Sequence, residues 1–202
     1  DVDFTTPKAM QIVNQRYSNQ IKLRTLRRKY FNEEMEILRD IFNDAWSENW
    51  GFVPFTKAEF SELGNSLRWL VPEDYIQIAE LEGKPVAFMA GIPNLNEIFF
   101  FFFGSLFPFG WIRLIKLLKS RAIKTGRIPL MGVRKQYQKT PIGLALAFAV
   151  IDAPRQIGIT HGIKAVEMSW ILEDNSPMRS ILKSIGSKEY KRYRLYEKTL
   201  EA

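Results

Sequence analysis

The stretch from Ile142 to Ala153 carries one charged residue, Asp152, and is otherwise Ile, Leu, Ala, Phe, Val and Gly. A helix that is apolar all round has to be buried on most of its sides, so the rest of the chain must supply elements to pack around it. Directly before it come a short apolar run that reads as a strand, Ile128 to Val133, and a polar loop, Arg134 to Thr140. A strand feeding through a loop into a buried helix specifies a layered α/β protein. The 202 residues include 15 Phe, 7 Tyr and 5 Trp, so the apolar inventory supports a core without staples. Pro154 is expected to end or kink the helix.

The remaining elements follow from periodicity and punctuation. Asn32 as cap, Glu33 and Glu34 in the first turn and the stripe Ile37, Leu38, Ile41, Phe42, Ala45 predict a helix ending near Trp46. Thr56 with Glu59 forms a capping-box pattern ahead of Phe60, Leu63, Leu67 and Leu70, and Pro72 closes that helix. Tyr75 to Leu81 and Pro85 to Ile92, joined through Glu82-Gly83-Lys84, read as a β-hairpin. After an insert come the strand and apolar helix, then a strand from Ala165 to Ile171. A helix from Ser176 to Ile185 stops at Gly186, and Lys188 to Thr199 reads as a last strand. Residues 1–30 show little periodicity and read as an N-terminal arm, leaving 31–202 as the domain, with an aromatic and basic insert at 98–124.

Composition removes several classes of chemistry. Without Cys there is no disulfide, thiolate nucleophile or thiolate metal site, and a reducing, cytoplasmic setting is expected. His161 is the only histidine and sits in a Gly-rich stretch read as a loop before a strand. No multi-His metal site can form within one chain, no metal is expected, and no Gly-x-Ser-x-Gly elbow accompanies it. The net charge of +7 is local: nine cations, from Arg113 to Lys139, fall between Ile98 and Ile151, where there is no Asp or Glu. Such polarity implies an anionic partner. Aromatic residues there are clustered in one run rather than interleaved with Arg and Lys, which argues against a nucleic-acid groove. Ile98 to Ile112 is too short and too broken by Gly104, Pro108 and Gly110 to cross a bilayer. Residues 98–118 are expected to form a lid over the site or a peripheral membrane contact.

A helix start offers unpaired N–H groups and the positive end of its dipole, so the loop Arg134 to Gly143 is a candidate anion-binding turn. Gln138, Ile142, Gly143 and Leu146, after a strand ending in Val133, resemble the pyrophosphate turn of the Gcn5-related N-acetyltransferases, Arg/Gln-x-x-Gly-x-Gly/Ala. Pro141 stands where that pattern has its middle glycine, and it removes one N–H donor. Asn175 with the helix that follows resembles the family's later Asn-bearing helix, although Leu182 stands where many members carry a Tyr acid.

The resemblance implies a mixed, mostly antiparallel sheet flanked by helices, the acyl-CoA N-acyltransferase fold. It further implies acetyl-CoA or another acyl-CoA as co-substrate, held by Met131, Gly132, Val133, Gln138, Lys139, Thr140, Ile142, Gly143 and Asn175. The acyl group would pass to the primary amine of a small molecule or peptide by direct attack, with the Val133 amide polarising the carbonyl and Glu167 or Glu80 taking the proton. The acceptor would enter across the first two helices, near Trp46, Asn49, Trp50 and Phe52. The alternative is a binding module of the same fold, without catalysis, for a CoA-like or other anionic ligand.

Overall fold

The computed structural model describes residues 2, 6–99, 110, 112, 116–117, 123–168, 170–196 and 198. In chain order these form α1 (Lys8–Tyr17), β1 (Ile21–Thr25), α2 (Phe31–Trp46), α3 (Lys57–Leu67), β2 (Ile76–Leu81), β3 (Lys84–Pro93) and a single helical turn, α4 (Asn96–Phe99). They continue with β4 (Thr125–Val133), α5 (Pro141–Thr160), β5 (Ala165–Met168) and α6 (Ser176–Ser184). The lid or membrane contact expected at 98–118 lies almost wholly outside the described residues.

The five strands form one sheet in the order β1-β2-β3-β4-β5. The first three junctions are antiparallel and β4–β5 is parallel, so the sheet is mixed and mostly antiparallel, as expected. One face packs on α2 and α3 through Phe31, Met35, Leu38, Ile41, Phe42, Phe60, Ile78 and Phe88. The other packs on α1, α5 and α6 through Met10, Ala79, Leu81, Ala87, Met89, Leu146, Val150, Ile151 and Leu182. Alternation along β2 divides the two cores, with Ile78 on one side and Ala79 on the other.

Local signals formed as read where they were self-contained. Thr56 Oγ1 accepts from Glu59 N while Glu59 Oε2 accepts from Thr56 N at 2.9 Å, closing the capping box. Glu82 and Gly83 both adopt positive φ, the geometry of a tight hairpin turn, and Gly186 at φ 80° ends α6.

Five expectations change, the smallest being that α2 starts at Phe31 with Tyr30 as its cap rather than Asn32. The segment read as an arm supplies α1, which packs on α5 with Met10 fully buried, and the sheet-edge strand β1. Its apolar residues are too few to show periodicity by themselves. Pro154 does not end α5, which runs to Thr160. The donor that Pro154 lacks is offset by tertiary fixation of the second half, where Arg155 bonds Asp152 at 2.7 Å, the Val2 carbonyl at 3.3 Å and Thr6 Oγ1 at 3.1 Å. The stretch around His161 is consequently the last helical turn, with His161 as C-cap. Residues 188–196 form no strand: Tyr190, Tyr193, Leu195 and Tyr196 find no apolar face to cover and stay exposed.

Glu34 is fully buried at the start of α2. It receives Arg24 at 2.6 Å and Arg27 at 2.5 Å, while Arg24 also reaches Glu80 at 2.6 Å. This network joins α2 to β1 and β2. Substituting Glu34→Ala should destabilise the protein by about 2–3 kcal/mol, because it leaves Arg24 with Glu80 alone and removes the charged partner of the half-exposed Arg27. Urea unfolding measures it, and a loss under 1 kcal/mol would show the network to be dispensable.

Candidate functional site

The site is created by a fault in one strand. Ala90 pairs with Leu130 and Ile92 with Arg127, so Ile128 and Pro129 together face the single residue Gly91. This bulge falls where the β4–β5 pairing ends, at Ile128–Met168. A bulge bends its strand and increases its twist, and proline, with no N–H for a ladder, is found in strands at such places. Beyond it, residues 129–133 of β4 have no pairing to β5 among the described residues, which leaves a gap in the ladder between the two parallel strands. Pro129 was the sequence signal for this gap.

The hydrogen bond from Arg134 N to Val86 O, 2.8 Å, sets the alternation along the far half of β4. It turns the amides of Leu130 and Gly132 toward β3 and those of Met131 and Val133 outward into the gap. The outward carbonyls are already used: Met131 O accepts from Trp46 Nε1 at 2.9 Å and Val133 O from Gln138 Nε2 at 2.9 Å. Gln138 Nε2 also donates to Ala45 O at 3.0 Å. The donors left facing the gap among the described residues are therefore the N–H groups of Met131 and Val133. Trp46 thus fixes the site's edge, a role beyond its expected place on an acceptor surface. Gly132 brings α2 down onto the strand, since a Cβ there would lie 3.2 Å from Ala45 Cβ and 3.3 Å from Phe88 Cε1.

The turn is bonded largely to itself and to α2. Tyr137 and Gln138 close a 3₁₀ turn on Arg134 and Lys135, and Thr140 N reaches Tyr137 O at 3.3 Å. Thr140 Oγ1 caps α5 by accepting from Gly143 N at 3.1 Å, with Pro141 at the first helical position. The smallness of Gly143 serves a neighbour in its own chain: a Cβ there would collide with the Tyr137 carbonyl. Of the amides from Lys139 to Gly143, those of Thr140 and Gly143 are engaged. Those of Lys139, which has φ 59°, and Ile142 have no hydrogen-bond partner among the described residues.

Charge on the turn is divided as well. Asp40, Asp44 and Glu48 recur every four residues along α2 and its end. They hold Arg134 at 2.5 Å, Lys135 N at 2.8 Å and Lys135 Nζ at 2.6 Å, respectively. Lys139 is the cation of the turn that makes no ion pair among the described residues. The hydrogen bond from Lys135, and then its charge, hold the Glu48 carboxyl below its ordinary range.

The other expected residues lie apart from the turn. Asn175 caps α6 through Met178 N at 3.2 Å. Glu80, on β2, is tied to Arg24, with β3 between its strand and β4. Glu167 lies on β5 one residue before the strands part, 3.5 Å from Arg127. The phenol of Tyr190 is raised above its ordinary pKa, first by hydrogen bonding toward Glu167. The described residues hold no group of three or more His, Cys, Asp or Glu suited to a metal.

A mixed sheet opened between two parallel strands, with a helix start beside the opening, is the fold of the Gcn5-related N-acetyltransferases, and the chain has that fold. It aligns with an aminoglycoside acetyltransferase from an uncultured soil sample, solved with sisomicin, at 16% identity and TM-score 0.55 over 92% of this chain and 99% of that one. It aligns with the acetyltransferase AAC(6')-Iy, solved with a CoA-based bisubstrate analogue, at 14% identity and TM-score 0.52 over 89% and 99%. In sequence it is 48% identical over 198 residues to Protein YghO of Escherichia coli K12, covering 98% of this chain and 51% of that protein. It is 39% identical over 180 residues to the bacterial ceramide synthase of Caulobacter vibrioides, covering 89% and 47%. The chain therefore spans about half the length of the curated relatives it matches. No family model matches it.

Gly143→Ala should disrupt the turn by driving a Cβ against the Tyr137 carbonyl, and a thermal unfolding midpoint several degrees below the parent is expected. An unchanged midpoint would mean the turn has another low-energy arrangement. The Lys135–Glu48 contact should be complete above pH 4.5, the ordinary value for Glu48, and lost as the pH falls through its lowered pKa. A carboxyl NMR titration reads this directly, with Lys135→Met returning Glu48 to the ordinary range.

Proposed function

We propose that this domain transfers an acyl group from an acyl-CoA to a primary amine. The observation that carries the proposal is the pair of outward amides, Met131 and Val133, in the gap beside the start of α5. A thioester supplies an activated acyl carbonyl. Lying along the open edge of β4, its carbonyl oxygen would meet one of these N–H groups, which favours the negative charge that develops as the amine attacks. The diphosphate of the donor would be met by the amides of Lys139 and Ile142, the Lys139 side chain and the helix dipole. Glu167 takes the ammonium proton, directly or through water, and direct attack needs no nucleophile from the chain. Tyr190, kept protonated by its bond to Glu167, is the candidate to return a proton to the leaving thiolate.

The name of the Caulobacter relative favours a particular acceptor. A ceramide is the N-acylated form of a long-chain amino alcohol, so the amine here is proposed to be an amphiphile of that class. The self-bonded turn and Pro141 favour a second reading, a fold that binds a CoA-like ligand without turnover.

Calorimetry with acetyl-CoA and a long-chain acyl-CoA tests the donor. Heat and a raised melting temperature are expected, Lys139→Glu should weaken binding about tenfold, or about 1.4 kcal/mol, and no response at millimolar ligand would refute the reading. With an amine acceptor, Glu167→Gln should lower kcat about 10²-fold while leaving acyl-CoA affinity unchanged. Acyl-CoA binding with no product from any amine would leave the binding module standing.

A further inference from the structure

A second feature reaches the same bulge, on the α2–α3 face of the sheet. Between α2, α3 and the sheet lies an apolar cavity of about 70 Å³ whose walls include Phe31, Met35, Phe60, Leu63, Leu67 and Val71. Its floor is Ala90, Gly91, Pro129 and Leu130, so its inner end is the β4 bulge, next to the outward amide of Met131. Gly64 lets α3 lie close on α2 at the cavity wall: a Cβ there would strike Met35 Sδ and lie 3.3 Å from Phe31 Cζ. An apolar space of this kind stays dry and favours apolar occupants. At about 10–15 Å³ per water-sized position its volume matches roughly six methylenes.

The outer end carries two guanidinium groups, those of Arg28 and Arg68. Arg28 donates to Val71 O at 2.8 Å and pairs with Glu73 at 2.9 Å, closing one side. Arg68 lies over the Phe31 ring at 4.8 Å and the Trp69 ring at 5.5 Å, joining a cavity wall to an exposed indole. Arg68 Nε is buried and has no hydrogen-bond partner among the described residues. The lining contains Arg28 and Arg68 and no carboxylate. Glu73 compensates Arg28, but Arg68 makes no ion pair among the described residues and disfavours an ammonium at that end, so an amphiphilic amine would enter with its nitrogen at the Leu130 end and its tail toward Trp69.

From this geometry we infer that the α2–α3 cavity holds the hydrocarbon chain of the amine acceptor, placing the nitrogen in the gap beside Met131. The inference rests on the proposed transfer reaction and deepens it. The acceptor is assigned rather than the acyl donor because the donor's diphosphate turn lies at the start of α5, on the opposite face. A carbonyl held from that side is open to attack from the α2–α3 side. A chain longer than the cavity leaves past Leu63 and Trp69, both exposed.

The test uses the full chain, with dodecylamine below its micelle concentration and butylamine as short control, each measured by calorimetry. Dodecylamine should bind more than tenfold tighter than butylamine. Leu63→Trp and Gly64→Leu, which fill the cavity, should each remove that advantage and leave acetyl-CoA affinity unchanged. Leu63 is exposed, so Leu63→Trp carries the test if Gly64→Leu does not fold by circular dichroism. Equal affinity for the two amines, or an undiminished dodecylamine advantage in the folded variants, overturns the inference. So does a result in which the variants weaken dodecanoyl-CoA and spare dodecylamine, because the cavity then belongs to the donor. If no CoA species binds while the dodecylamine advantage persists and the variants remove it, the transfer reading falls and the chain-binding cavity stands.

Discussion

The bulge at Ile128–Pro129 is the feature on which the site depends. A regular β4 would continue its ladder with β5, and the outward amides of Met131 and Val133 would be consumed by strand pairing. One extra residue opposite Gly91 ends the pairing and leaves those amides directed into a gap. Backbone donors held by a sheet are preorganised, because the strand geometry is fixed by the β3 ladder and by the two cores. Trp46 and Gln138 complete this arrangement by occupying the outward carbonyls, so that the edge presents donors to a ligand.

Positioning the turn costs the protein much of the turn's own binding capacity. Arg134 and Lys135 are committed to the acidic stripe of α2, and Thr140 and Gly143 to the cap of α5. What remains for an anion is two amides, Lys139 and a helix dipole. On the proposed reading the anion subsite is sparse, and the strand edge and the apolar cavity beneath α3 would carry more of the recognition. This distribution suits a substrate with substantial hydrocarbon, for which burial contributes about 0.8 kcal/mol per methylene.

Elements whose cause is local were legible in the chain. The Thr56–Glu59 box, the Glu82-Gly83 turn and the Gly186 stop each require a few adjacent residues, and each formed as read. The turn was located from the apolar run after it and from Gln138 and Gly143. Its internal arrangement was not legible, because the space beside Gly143 is taken by the Tyr137 carbonyl, six residues upstream and brought there by a 3₁₀ turn. The strand β1 and helix α1 were missed since their apolar residues become meaningful only against β2 and α5. The last segment was read as a strand from alternation alone, with no neighbour to pair with.

The sequence by itself determined the layered α/β class, the buried central helix and the position of the polar turn, because apolar periodicity, caps and glycine stops act over a few residues. Tertiary structure decided which donors remain free, that α5 passes through Pro154, and where Glu80 and Glu167 stand. Those outcomes depend on contacts between residues distant in the chain, such as Trp46 with Met131 and Arg155 with Val2, whose pairing no local pattern encodes.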